Sequence, residues 1–264
     1  LPDVEVFKRY LQSTSLHKDI EDVKIYNKNM VEGHSSSELT KTLKGGRFES
    51  AARHGKYLLA KTDRGKHLVL HFGMTGFLKY FKEEADQPSH TRLLIRFSNG
   101  YHLAHDCQRK LGEIGLADSM KTLIKEKSLG PDALDQELDK NRFRKIFAKT
   151  SAAVKSALMN QKYIAGIGNI YSDEILFQAR MYPGMTSKRL DGEDLDGLYS
   201  QMHQVLYTAI EAGADPRRFP SSFIIPHRRT DMICPRCNGE IRKKKIGGRS
   251  AYYCPRCQKD RSPD

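Results

Sequence analysis

Two Cys-Pro-Arg-Cys knuckles constrain this chain more than any other feature. Cys234 and Cys237 form one C-x-x-C pair, Cys254 and Cys257 the other, and residues 238 to 253 lie between them. Thiolates spaced this way converge on one ion, and Zn²⁺ accepts four of them tetrahedrally. Two disulfides are the alternative, but paired knuckles suit metal geometry better. A closed four-cysteine site leaves no position for a substrate, so the metal is structural. The segment between the pairs reads as a hairpin with Ile246, Gly247 and Gly248 near its tip. Basic residues crowd this ribbon: Arg236, Arg242, Lys243, Lys244, Lys245, Arg249, Arg256, Lys259 and Arg261 face only Asp231, Glu240 and Asp260.

The whole chain shares that bias, with 45 Lys+Arg against 32 Asp+Glu and a formal charge of +13. Neutralising phosphates releases condensed counterions, so this balance together with a basic zinc ribbon points to nucleic acid. The 264 residues suffice for two domains and a small appendage. No run of 18 apolar residues occurs, and Leu1-Pro2-Asp3-Val4-Glu5 lacks a signal-peptide pattern. Zinc-type thiolates plus a lone Cys107 suit a reducing compartment, so we expect a cytoplasmic protein, nucleoid-associated in a prokaryote.

Val4, Phe7 and Leu11 fall at helical spacing. Segments 56–62 and 66–71 are short apolar runs between turn residues, and 92–97, Ser98-Asn99-Gly100 and 101–104 read as a hairpin. These runs predict an antiparallel sandwich or barrel. Leu129-Gly130-Pro131-Asp132 opens a helical half, with Phe143, Ile146 and Phe147 on one helix face. Leu195, Leu198, Met202, Val205, Leu206 and Ala209 mark a longer amphipathic helix that Ala214-Asp215-Pro216 ends. The expected architecture is α+β: an N-terminal helix and β-sandwich over 1–128, a helical domain over 129–228, and a four-cysteine zinc finger over 229–264.

Between two helical segments lies Tyr163-Ile164-Ala165-Gly166-Ile167-Gly168-Asn169-Ile170-Tyr171. Its glycines let backbone approach a ligand, and a helix opening at Asn169 offers free N–H groups to an anion. Lys155, one short helix upstream, is expected at the same phosphate. A plain helix–helix turn capped by Asn169 is the other reading.

This segment resembles the helix–two-turn–helix element of the formamidopyrimidine-DNA glycosylase and endonuclease VIII family. Other motifs resemble that family in the same order: Leu1 to Glu5, Arg53-His54-Gly55-Lys56-Tyr57-Leu58-Leu59, His71-Phe72-Gly73-Met74-Thr75-Gly76, Leu129-Gly130-Pro131, and the Arg249 hairpin with its four cysteines. The ordered set covers nearly the whole chain and favours the formamidopyrimidine branch.

The resemblance implies base excision repair: an oxidised or ring-opened base is flipped from duplex DNA, its N-glycosidic bond is cut, and the backbone is cleaved at the abasic site. It implies one structural Zn²⁺, damaged or abasic double-stranded DNA as partner, no membrane, and a monomer. Met74, Arg109 and Leu111 would fill the gap left by the base, although Leu111 replaces the usual aromatic and Asp106-Cys107-Gln108 departs from the pattern. Lys56, His71, Asn169 and Arg249, with Lys155, would grip the phosphates, and Lys56 and Arg249 would also serve the strand-cutting steps.

The family's nucleophile is an N-terminal proline followed by a glutamate that works as acid and base. Pro2 and Asp3 match the second proline and acid of that signature, so the catalytic pair would precede Leu1. The expectation is that a chain starting at Leu1 cleaves feebly, its amine displaced by roughly 7 Å. A damaged-DNA-binding homologue without catalysis is therefore the alternative function. The 212–229 connection looks short for covering an extruded 8-oxoguanine, which favours ring-opened purines or oxidised pyrimidines.

Overall fold

The computed structural model describes residues 1–259. It divides into two compact units: Asp3–Lys127, and Leu1–Pro2 together with the chain from Ser128 on.

The first unit is a β-sandwich. Its elements are α1 (Pro2–Ser15), β1 (Ile20–Ile25), α2 (Ser36–Leu43), β2 (Phe48–His54), β3 (Tyr57–Thr62), β4 (His67–His71), β5 (Gly76–Phe81), β6 (Thr91–Phe97), β7 (His102–Cys107), β8 (Glu113–Ala117) and α3 (Met120–Glu126). One antiparallel sheet has the order β1-β6-β7-β5, the other β2-β3-β4-β8. Leu58, Leu68 and Leu70 of one sheet and Ile95, Phe97 and Leu103 of the other share a buried core with Val4 and Leu11 of α1. The β6–β7 turn forms as its sequence dictates. Gly100 takes φ +82°, and Asn99 Oδ1 accepts from the Tyr101 N–H at 3.1 Å. α2 starts on a Ser35 cap whose hydroxyl accepts from the Glu38 N–H at 3.0 Å.

The second unit is helical and carries the cysteine hairpin. Its elements are α4 (Lys140–Ala148), α5 (Val154–Met159), α6 (Asn169–Gln178), α7 (Gly192–Glu211), β9 (Arg242–Ile246) and β10 (Arg249–Tyr253). Asp139 and Asp191 cap α4 and α7. α6 is buried almost all round, from Tyr171 to Phe177, as befits a helix enclosed by the rest of its unit. Positive φ at Gly213 and Ala214, +70° and +57°, follows α7. β9 and β10 pair antiparallel across a Gly247-Gly248 turn with both φ positive.

Candidate functional site

In the β-sandwich unit, two loops form one exposed cluster. The β4–β5 loop presents Met74, which is 69% exposed. The β7–β8 loop presents Arg109 and Leu111, the latter 52% exposed. Backbone contact brings the loops together. A Cβ at Gly73 would lie 2.6 Å from the Leu111 carbonyl carbon, and one at Gly112 would lie 2.4 Å from the His71 oxygen. Arg109 is fixed at both ends: its backbone N–H donates to Thr75 Oγ1 at 3.2 Å, and its Nη1 lies 3.4 Å from Met74 Sδ. The cluster therefore pairs an apolar tip and a guanidinium on a glycine-locked base.

Behind it lie His71 and Lys56. Tyr57 and His71 are partners in the β3–β4 register, and their rings lie 4.9 Å apart. His71 Nδ1 accepts from the Gly73 N–H at 3.3 Å, which ties the histidine to the Met74 loop. Burial, then the charges of Lys56 and Lys127, push the His71 pKa down to about 4. The imidazole is thus neutral near pH 7 and ready to take a proton beside an anion. Lys56 sits in the β2–β3 turn. Arg53 braces that turn by donating to the Gly55 carbonyl at 3.1 Å and pairing with Glu5 at 3.1 Å. Burial alone would raise the Glu5 pKa, but hydrogen bonds from Lys8 and Arg53 hold it below the ordinary range.

In the helical unit, Gly168 occupies the cap of α6 and Asn169 is its first helical residue. The Asn169 side-chain oxygen has no hydrogen-bond partner among the described residues, so the residue does not cap the helix. Gly166, at φ +115°, lets the preceding turn pass close to Leu1: a Cβ there would lie 2.5 Å from Leu1 Cδ1.

Lys155 is a correction. Its side chain is fully buried and its ammonium is spent inside the protein. It donates to Asp173 Oδ1, to Ser172 Oγ at 3.0 Å and to the Asn169 carbonyl at 3.3 Å. An ammonium so enclosed has no donor left for a phosphate. Lys155 instead anchors the first turn of the helix that carries Asn169.

The four cysteine sulfurs lie within 4.8 Å of one another. Tetrahedral Zn–S bonds of 2.3 Å place sulfurs about 3.8 Å apart. Cys234–Cys257 at 3.8 Å and Cys237–Cys254 at 3.4 Å fit that spacing. The Arg236 N–H points at Cys234 Sγ from 3.4 Å, the knuckle bond a thiolate requires. The residues present therefore fit one structural Zn²⁺. Cys107 is buried in the sandwich unit and takes no part. Arg236 docks the knuckle on α6, donating to the Phe177 carbonyl at 2.9 Å and to Gln178 Oε1 at 2.8 Å. The hairpin tip rests on α5, because a Cβ at Gly247 would lie 2.3 Å from Ser156 Oγ. Arg249, next to that tip, is exposed and makes no ion pair among the described residues.

Family models match in the same order. Residues 1–114 match the formamidopyrimidine-DNA glycosylase N-terminal domain, 129–221 its H2TH domain, and 234–259 a zinc finger found in that enzyme and in isoleucyl-tRNA synthetase. The formamidopyrimidine-DNA glycosylase of Pelotomaculum thermopropionicum is 33% identical over 271 residues, covering 98% of both chains. The chain belongs to the formamidopyrimidine-DNA glycosylase family.

That of Heliobacterium modesticaldum is also 33% identical, over 98% of this chain and 99% of its own. Among solved structures, the Lactococcus lactis formamidopyrimidine-DNA glycosylase bound non-covalently to abasic-site DNA superposes with a TM-score of 0.88 at 27% identity. A mutant of the same enzyme with Fapy-dG DNA gives 0.89 at 28%. Each covers 98% of this chain and 99% of its own.

The sequence motifs place Glu5 in the N-terminal signature without giving it a role, and Asp173 looks like one polar residue in an apolar helix. The fold pairs Glu5 with Arg53 and Lys8, and Asp173 with Lys155 and Arg228. The pattern Asn-x-x-x-Asp in a helix without a polar face was the available signal for Asp173.

Proposed function

We propose that this chain excises oxidised or ring-opened bases from duplex DNA and cleaves the strand at the resulting abasic site. The observation that carries this reading is the glycine-locked cluster of Met74, Arg109 and Leu111. An exposed methionine and leucine held together beside an arginine form a local apolar patch of the kind that marks an interaction site. A gap in a base stack suits it: the apolar groups stack on flanking bases and the guanidinium pairs with the orphaned one. Extruding the base costs roughly a few kcal/mol, which this insertion offsets.

His71 and Lys56, like Asn169 and Arg249, act as grips on DNA phosphates. Lys56 and Arg249 further serve the strand-cutting steps. Ring-opened purines and oxidised pyrimidines are the substrates we favour, because the 212–229 connection offers little cover for 8-oxoguanine. The damaged-DNA-binding alternative is not favoured, since relatives named as glycosylases match along the whole chain. The protein works where the chromosome lies, in the cytoplasm or nucleoid, as a monomer. No helix among the described residues is long and apolar enough to cross a membrane.

The test is single-turnover excision on duplexes carrying ring-opened guanine, an oxidised pyrimidine or 8-oxoguanine, with borohydride trapping, using protein whose N-terminal residue has been read by mass. Release of the ring-opened base with a trapped protein–DNA adduct is expected. Tight abasic-site binding with no excision and no adduct would instead establish the binding-only function.

A further inference from the structure

Asp173 is buried at 1% exposure and accepts from three separate segments. Its Oδ1 holds Lys155 of α5. Its Oδ2 accepts from Arg228 Nε at 2.8 Å and from the Tyr252 backbone N–H of β10 at 3.2 Å. The Lys155 ammonium in turn donates to the Asn169 carbonyl at 3.3 Å. Arg228 also lies 4.8 Å over the Tyr252 ring, so it clamps the strand that Asp173 holds by its backbone.

Burying a lysine and a carboxylate with a half-buried arginine beside them is an expensive way to stabilise a fold, and apolar residues of similar volume do as well or better. Such a cluster yields something packing does not: a directional register between elements. One oxygen of Asp173 points, through Lys155, at Asn169. The other points at β10 three residues from Arg249. Apolar packing also holds β10, whose Ala251 is buried and whose Tyr252 and Tyr253 lie against the unit's cores, while β9 is exposed from Arg242 to Lys245; Asp173 adds a directional bond to that packed strand.

We infer that Asp173 is a positioning residue that registers Arg249 of the zinc hairpin against Asn169 of α6, so that both grip the same stretch of DNA backbone. This rests on the DNA-binding roles proposed above for those two residues. Asp173 touches no DNA itself. It acts through the geometry of its neighbours.

A double-mutant cycle tests this, on a duplex carrying a tetrahydrofuran abasic analogue, with zinc content monitored. Asp173→Asn keeps the shape and removes the charge that holds Lys155 and Arg228. We expect it to weaken binding on the order of tenfold with zinc retained. Arg249→Ala should then cost far less in the Asp173→Asn background than in the wild type. Met74→Ala, on the other unit, should cost the same in both. A merely structural role would weaken all three contexts alike, and independent, multiplying losses for Asp173 and Arg249 would overturn the inference. So would an Arg249→Ala change with no cost in the wild type. If Asp173→Asn does not fold, Arg228→Gln removes the clamp over Tyr252 and loosens β10 while leaving the Asp173–Lys155 pair, and a coupling to Arg249 of the same sign is required. A wild-type protein with no preference for the abasic duplex would sink the functional reading itself, a distinguishable result.

Discussion

The main-chain nitrogen of Leu1 donates to the carbonyl oxygen of Gly166 at 3.1 Å, and the Leu1 side chain fills the space a Cβ at residue 166 would need. Leu1 is only 4% exposed and belongs to the helical unit's core. The turn before α6 is therefore shaped around the first residue of the sequence. Gly166→Ala adds a methyl 2.5 Å from Leu1 Cδ1 at φ +115°, a backbone region that suits glycine. It should cost about 2–4 kcal/mol and displace the Asn169 turn. Thermal unfolding and abasic-site binding measure the two effects, and a variant with unchanged midpoint contradicts the packing described.

Removing the metal should loosen the hairpin and little else. Cys237→Ser should lose zinc and weaken DNA binding, with a salt slope lowered by about one as Arg249 is freed. The helical signal should hardly change. Zinc analysis and binding at several salt concentrations report both, and full affinity without metal would refute the structural role.

Met74 and Arg249 should fail in different ways. Arg249→Ala should lower the salt slope by about one and weaken binding to damaged and intact duplex alike. Met74→Ala should leave the slope alone and reduce the preference for an abasic site. Unchanged discrimination in Met74→Ala rules out its role as a wedge.

Lys155 should behave as a buried anchor. Lys155→Met strips Asp173 of one buried counter-charge and should destabilise the protein by about 3 kcal/mol. Its salt slope should match the wild type, since no phosphate contact is lost. A slope reduced by one in a stably folded variant would return Lys155 to the DNA surface.

Acid should destabilise the free protein. Burial holds His71 near pKa 4 and His105 near 3, below the ordinary 6.5. Between those values and 6.5 the unfolded chain binds more protons than the folded one. Stability therefore rises with pH across that window and falls as pH drops from 6.5 toward 4. DNA binding should respond the opposite way. A phosphate beside His71 raises its pKa, the complex takes up a proton, and affinity increases as pH falls from 7 toward 5.5. His71→Gln should flatten that response, and a wild-type affinity independent of pH would remove His71 from the grip.

Spacing alone determined the zinc site, because four thiolates need only two knuckles and a hairpin to converge. The Asn99-Gly100 turn, the α7 stripe and the order of the motifs were equally local, and each appears in the structure. Weaker patterns hid β1, β2, β5 and β8, whose alternation is broken by bulges, charges or short length. α2 lies in a polar stretch without clear periodicity, and its Ser35 cap shows only in the structure.

What only tertiary structure decided is which charges meet. Lys155 reads from sequence as a phosphate ligand, since one short helix separates it from the glycine turn and the free N–H groups at Asn169. Its burial against Asp173 depends on α5 and α6 packing together, which no local pattern encodes. The meeting of Met74 with Arg109 has the same origin. It needs two loops 35 residues apart to touch through backbone at Gly73 and Leu111. Sequence lists the groups a chain can offer; long-range packing sets which of them are exposed to DNA and which are neutralised inside.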